Sequence, residues 1–373
     1  MVRKFAKPKF LALWFFLCLG FVVLFYSSTH NIGYVPIEGV EFYAGAIFWN
    51  QFLSKNGSIH PSDKNTANIF TWNAKPTTVP RERCSMKSRI SRINTQCQRL
   101  GIGQNLTTGK VAVMLKQHKY SSLIYVDDEH KVIYCPITKS ASTTFRHLMM
   151  HSTGKKVKNL PMHEQFLDLG LTFLRDDYNV NEIRYRLENY LKFVVVRHPM
   201  DRLASAHYHR ILRDWKFPLN ISNFLNLTQK YFNRSLNTSP ENTMQFDQFI
   251  ELVSREPSAF KNVHWKTFMD LCHPCEIQYN YVVRLETLED DVPLILERLG
   301  NPPGALSLLP QHRLLRLVSD KLEHSTRLFQ NIATETIMRL METYGADLEV
   351  FGYTWDREEG ANCAVVSEDG KCC

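Results

Sequence analysis

Lys131-Val-Ile-Tyr-Cys-Pro136, then Ile137-Thr-Lys-Ser-Ala-Ser-Thr-Thr144, then Phe145-Arg-His-Leu-Met-Met150 is the stretch that decides the fold. Its first part is short, apolar and β-branched, as a buried strand is. The middle part consists of small residues around one lysine. The last part has helical character. Strand, small polar loop and helix in that order place free backbone N–H groups and the positive end of a helix dipole beside a loop that an anion can approach. Ser142, Thr143 and Thr144 are expected to cap the helix and to donate to anion oxygens, and Lys139 adds a mobile charge. Taken alone, the stretch is also what any N-capped helix after a strand looks like. It lacks the glycines and the terminal G-K-[ST] of a Walker A loop, which disfavours an ordinary ATPase or GTPase.

A second unit of the same kind follows. Tyr190-Leu-Lys-Phe-Val-Val-Val196 reads as a strand buried on both faces, which is the pattern of a parallel sheet. It runs into Arg197-His-Pro-Met-Asp-Arg-Leu-Ala-Ser205 and a helix continuing to about residue 212. Pro199 suits an early helix position. Ligands of open α/β sheets bind at the carboxyl ends of strands, where Arg197 offers a planar fork to a phosphate. The alternative for Arg197 is a structural pairing with Asp201 or another carboxylate, and Arg202 reads as structural. Two strand–loop–helix units of this kind point to an α/β protein with parallel strands.

Outward from this core, the chain has 373 residues, 44% hydrophobic and 22% charged, which excludes a mostly disordered chain, a collagen and a multi-span membrane protein. Of the net charge of +8, four charges (Arg3, Lys4, Lys7, Lys9) lie in the first nine residues. The remaining +4 (8 − 4) is too small an excess to point to nucleic acid. Residues 10–26, FLALWFFLCLGFVVLFY, carry no charge and are apolar on every helical face. Extended to residue 29 they are expected to be a single transmembrane signal-anchor, with residues 1–9 cytoplasmic by the positive-inside rule and the body across the membrane. A cleaved signal peptide is the competing reading. Six N-x-S/T sequons, at Asn56, Asn105, Asn220, Asn226, Asn233 and Asn237, agree with a lumenal body.

Residues 30–105, with Pro36, Pro61, Pro76 and Pro80, read as a lumenal stem. Within them 81–100 is a helix candidate with Cys84, Ile90, Ile93 and Cys97 along one face. Residues 106–358 form the expected catalytic domain and 359–373 a polar tail whose Cys363, Cys372 and Cys373 could bridge two copies into a homodimer. Leu285 to Leu299 is expected to be a helix ending near Gly300, and residues 330–344 have helical periodicity. Cys272-x-x-Cys275 has no second C-x-x-C and no H-x3-5-H to complete a zinc site. A local disulfide, or one to Cys84 or Cys97, fits an oxidising compartment better. No metal is expected.

The two loops together resemble those of the Golgi carbohydrate sulfotransferases, which use 3′-phosphoadenosine-5′-phosphosulfate (PAPS). The resemblance covers about residues 80–300. In that family a 5′-phosphosulfate loop follows the first core strand, and an R-x-P-x-x-R-x-x-S loop for the 3′-phosphate follows a later one. Residues 138–144 and 197–205 are similar to these. The nearest branch has P-K-x-G-C-T-N-W in the first loop; Lys139 and Thr143 keep that pattern, while Thr138, Ala141, Ser142, Thr144 and Phe145 depart from it. Val263-His-Trp-Lys266, Leu271-Cys-His-Pro-Cys-Glu-Ile-Gln-Tyr279 and Leu285-Glu-Thr-Leu-Glu-Asp290 resemble the HNK-1 and chondroitin/dermatan 4-O-sulfotransferase branch.

The resemblance implies an α/β fold with a P-loop-like parallel sheet flanked by helices (the sulfotransferase fold), PAPS as co-substrate without a metal, a glycan acceptor and a type II Golgi membrane protein. It implies donor contacts from Thr138, Lys139, Ser140, Ala141, Ser142, Thr143, Thr144, Arg197 and Ser205, with Lys139 catalytic. His163 is the first candidate for the base that deprotonates the acceptor, ahead of Glu164 and His264. Arg175, Lys192, Arg210, Arg213, Lys261 and Lys266 are candidates for a basic acceptor groove, and 214–243 for an inserted lid. The rivals are a lumenal glycan kinase, which needs a metal-binding aspartate and a true phosphate loop, and a catalytically inactive glycan-binding homologue.

Overall fold

The computed structural model describes residues 86–156, 158, 162–213, 226, 229–232, 244–255, 262–305 and 327–354. The expected cytoplasmic tail, anchor, stem up to residue 85, most of the lid and the C-terminal tail lie outside them. Among the described residues no helix is long and apolar enough to cross a membrane.

Helix α1 (Met86–Leu100) buries Arg89, Ile93, Cys97 and Leu100, a one-face spacing for a helix. Helix α2 (Thr108–Gln117) begins at Thr107, whose side chain accepts from the Lys110 N–H. Strands β1 (Tyr125–Asp127) and β2 (Val132–Cys135) precede α3 (Ser142–Ser152) and α4 (Met162–Asp168). Strand β3 (Leu171–Phe173) leads to α5 (Val180–Asn189), which opens with a reciprocal capping box between Asn179 and Glu182. Strand β4 (Leu191–Val196) runs into α6 (Pro199–Ala206), which continues as a π-helical turn over His207–Arg213. Helices α7 (Phe246–Arg255) and α8 (Phe268–Cys272), strand β5 (Tyr281–Arg284), and helices α9 (Leu288–Arg298) and α10 (Thr334–Phe351) complete the described chain.

The strands form one sheet in the order β3-β1-β2-β4-β5. Strands β2 and β4 are parallel, as expected, and β5, which the sequence reading did not name, pairs parallel to β4, with Cys135 opposite Val194 and Val196 opposite Arg284. The expected parallel sheet proves to be mixed, because β1 runs antiparallel to both β2 and β3. The physical reason is the four-residue link 128–131 between β1 and β2, too short for a parallel crossover.

Successive strand residues face opposite cores, as the two-residue period requires. Tyr134, Phe193, Val195 and Val283 pack with α3 and α9 on one face. Ile133, Cys135, Val194, Val196 and Val282 pack on the other with α1, α2, α5, α7 and α10. Helix α1 lies in the second core: Arg89 donates to Val282 O at 2.8 Å and pairs with Asp291 at 2.5 Å. The packed core therefore reaches back past the boundary expected at residue 106.

Two disulfides lock this layer. Cys97 joins Cys275, one of the expected pairings. Cys272 joins Cys135 rather than its neighbour Cys275, because helix α8 ends over the last residue of β2, with Cα atoms 5.8 Å apart. Removing the Cys135–Cys272 link, as Cys135→Ser/Cys272→Ser, is expected to cost about 2–5 kcal/mol. Chemical denaturation of the protein at matched pH measures this.

Candidate active site

The register brings the ends of β2, β4 and β5 to one edge of the sheet. Residues 136–141 leave β2 there, Arg197 and His198 leave β4, and the Leu285–Thr287 turn leaves β5. Each loop is held by an identifiable set of bonds.

In the first loop, the Ser140 N–H closes a turn onto Ile137 O. Lys139 and Ala141 both take left-handed backbone, with φ of 69° and 56°. Ala141 occupies the N-cap of α3 and has no side chain to cap with. This corrects the expectation that Ser142, Thr143 and Thr144 cap the helix; they form its first turn instead. The first backbone N–H to bond back is that of Phe145, to Ala141 O at 3.1 Å. The preceding N–H groups therefore remain available to an anion, as does the dipole of an eleven-residue helix. Ser140 is fully buried, and its hydroxyl has no hydrogen-bond partner among the described residues. An orphaned buried hydroxyl marks a place where a ligand oxygen would be satisfied.

Thr138 does something other than expected. Its hydroxyl donates to Val263 O at 2.6 Å, and its carbonyl accepts from Arg202 Nε at 2.9 Å. Its side chain is committed to holding the loop. Arg202 also donates from Nη1 to Lys266 O at 2.6 Å and from Nη2 to Val263 O at 2.9 Å. Its guanidinium is fully enclosed, and burial pulls its pKa down to about 10 against the opposing pull of Tyr344 and Asp347. Arg202 is thus structural, as the sequence reading has it.

Arg197 is 8% exposed, and its Nη1 reaches Lys139 O over a long 3.4 Å. The two expected anion loops meet. The next residue, His198, accepts from Met200 N at Nδ1, which leaves the proton on Nε2 to donate to Thr354 O at 2.9 Å. Glu286 accepts from the His198 N–H at 2.8 Å and from the Tyr353 hydroxyl at 3.0 Å. Glu286 was visible only as part of the Leu285–Asp290 segment; its hold on the arginine loop needed the β4–β5 pairing. Ser205 lies half-buried near the end of α6.

The π-helical turn carries Arg210 toward the loop. Arg210, Lys139 and Arg202 all act on the ring of His264, which burial first, and then these three charges, push down to about 3. Wide turns of this kind recur at functional sites. The other groove candidates fare differently. Lys192 is buried and donates to Leu187 O and Tyr190 O. Lys266 is buried and pairs with Asp270 at 2.9 Å. Arg175 pairs with Asp176 and donates to Lys119 O. The side chains of these three are engaged in contacts within the fold. The side chain of Arg213, all of Lys261 and the side chain of His163 on α4 lie outside the described residues. Glu164, in the first turn of α4, is exposed. A cleft of about 380 Å³ lined by His130, His151, Leu299 and Pro302 opens at the far end of α3 and has no part in this site. No cluster of metal-ligating side chains is present among the described residues.

Parallel strands that end in two touching cationic loops, one of them opening a helix whose first-turn N–H groups have no intrahelical partner, make an α/β site suited to anions. The chain belongs to the sulfotransferase family, whose family model matches residues 122–354. Among its relatives, carbohydrate sulfotransferase 11 of Rattus norvegicus is 31% identical over 245 residues, covering 62% of this chain and 67% of the relative. Carbohydrate sulfotransferase 10 of Homo sapiens is 28% identical over 253 residues, with 62% and 66% covered. The Danio rerio carbohydrate sulfotransferase 10 is 28% identical over 293 residues, 72% of this chain. No solved structure matches.

Ala141 holds the position where the resembled branch has glycine. A non-glycine residue in left-handed backbone costs roughly 1–2 kcal/mol, part of which glycine returns through unfolded-state entropy. Ala141→Gly is therefore expected to raise stability by about 0.5–1 kcal/mol, read as an upward shift in thermal midpoint with the donor-product affinity retained.

Proposed function

We propose that this protein transfers a sulfuryl group from PAPS to a hydroxyl of a glycan, a glycosaminoglycan or the terminal sugar of an N- or O-glycan. The observation that carries the reading is the contact of Arg197 with the backbone of Lys139. It joins two anion-binding loops at one sheet edge, as a nucleotide carrying phosphates at its 5′ and 3′ ends requires. The names of the relatives support the sugar acceptor.

The residues fit the donor. The first-turn N–H groups of α3, with the hydroxyls of Ser140, Ser142, Thr143 and Thr144, hold the 5′-phosphate. Lys139 neutralises the charge that develops on the leaving phosphate oxygen. Arg197 and Ser205 hold the 3′-phosphate, which separates PAPS from ATP. Thr138 acts through the loop it anchors. His163 is the proton acceptor implied by the resemblance, and Arg210, whose charge acts on His264 together with that of Lys139, supports a cationic acceptor groove.

Two disulfides and the exposed Asn105 sequon support a lumenal body, and the apolar run 10–29 supports a type II anchor in the Golgi membrane. Cysteines in the C-terminal tail leave a disulfide-bridged homodimer as part of this reading.

Labelled PAPS and ATP offered with a glycan panel test the reaction, with label transfer from PAPS alone expected. Lys139→Ala is expected to lower kcat about 10²–10³-fold while the fold is retained. Arg197→Ala is expected to weaken binding of 3′,5′-adenosine bisphosphate about 10–100-fold by calorimetry, the worth of one charged hydrogen bond. Unchanged affinity in that variant would refute the 3′-phosphate assignment.

A further inference from the structure

His264 is in the site by construction of the backbone around it. The carbonyl before it, Val263 O, receives the Thr138 hydroxyl at 2.6 Å and Arg202 Nη2 at 2.9 Å. Two residues on, Lys266 O receives Arg202 Nη1 at 2.6 Å. The His264 N–H itself donates to Asn262 Oδ1 at 3.0 Å. The backbone at His264 is therefore held beside the loop that carries Lys139, and the Lys139 charge acts on the ring. The residue is partly exposed, yet Nδ1 is sealed from water and has no hydrogen-bond partner among the described residues.

The charges that act on this ring come from three elements: Arg210 on the π-helical turn, Lys139 on the loop and Arg202 on α6. All three are cations. Together with burial they keep the ring neutral throughout the physiological range. A neutral imidazole has one N–H and one lone pair. A proton on Nδ1 would lack an acceptor, whereas a bare lone pair is at ease among cations. This electrostatic argument assigns the proton to Nε2, the nitrogen on the side of the ring that is not sealed.

We propose that His264 is a catalytic residue that holds the sulfuryl end of the donor, its Nε2–H donating to a sulfuryl oxygen beside Lys139. The assignment rests on the sulfotransferase reading above. In the transfer, the bond from sulfur to the 5′-phosphate oxygen breaks and its electron pair leaves with the phosphate. A bond from the acceptor oxygen to sulfur forms, and the acceptor proton passes to the base. His264 keeps its own proton throughout. Its hydrogen bond strengthens as charge spreads over the sulfuryl oxygens, which is how a fixed donor lowers a barrier.

The test separates sulfuryl contact from loop support, because 3′,5′-adenosine bisphosphate keeps both phosphates and lacks the sulfuryl group. His264→Ala is expected to lose about 10²–10³-fold in kcat at saturating PAPS. Its affinity for the bisphosphate, by calorimetry, is expected to stay within about twofold of wild type. His264→Gln, which restores one N–H donor, is expected to recover at least about tenfold of that loss. Three outcomes would overturn the inference: His264→Ala turning over at the wild-type rate, a parallel loss of bisphosphate affinity, or a glutamine variant as impaired as alanine, which would make proton acceptance the role. If the alanine variant unfolds, His264→Met, which fills the space without an N–H, replaces it under the same criteria. A wild-type protein that neither binds the bisphosphate nor uses PAPS would sink the underlying function, whereas an active wild type with a fully active His264→Ala would sink this inference alone.

Discussion

A guanidinium enclosed by protein and donating to three backbone carbonyls is the constraint on which the site depends. Arg202 ties Thr138 of the first loop to Val263 and Lys266 of a segment more than a hundred residues later. Placing such a charge out of water is costly unless each donor finds an acceptor. Carbonyls are the natural acceptors here: they leave the net charge positive where an anion is to bind. A carboxylate partner would have cancelled it. Asp347 supplies some compensation from behind, where it accepts from the Phe268 and Met269 N–H groups at the start of α8.

The cost of the arrangement is carried by the surrounding fold. Lys139 and Ala141 sit in left-handed backbone, the Ser140 hydroxyl is buried without a partner among the described residues, and several cations converge on one histidine. Each feature is unfavourable alone, and such features persist where neighbouring structure over-determines them. The Cys135–Cys272 disulfide is part of that support, since Cys135 is the last residue of β2 before the loop begins. An anionic ligand would relieve the same terms at once: it neutralises the cations, satisfies the hydroxyl and accepts from the first turn of α3. On the proposed function, binding and catalysis would draw on one pre-organised electrostatic field.

Much of this was legible along the chain. The apolar runs 132–135 and 193–196 and the small-residue loop between β2 and α3 announce their structures locally, because burial on both faces favours uninterrupted apolar residues and close approach to a helix N-terminus favours small ones. Arg197 and Lys139 could be named for the same reason. The role of Thr138 could not be read. A threonine in such a loop looks like a donor to phosphate, and only the neighbouring Val263 carbonyl shows that its hydroxyl is already used. Lys192 and Lys266 likewise looked like groove cations and proved to be buried and bonded, since a lysine's partners lie in other elements.

By itself, then, the sequence determined which residues carry charge, two of the five described strands, the strand–loop–helix order around Lys139 and Arg197, and that cysteines would pair. These follow from local composition and short-range periodicity. The tertiary structure alone decided which cysteines meet, that β1 turns back antiparallel, that Arg197 touches Lys139, and that His264 lies under the charges of Arg210 and Lys139. Each of those depends on contacts between residues distant in the chain, and such contacts arise only once the packing of the sheet has set which strand ends share an edge.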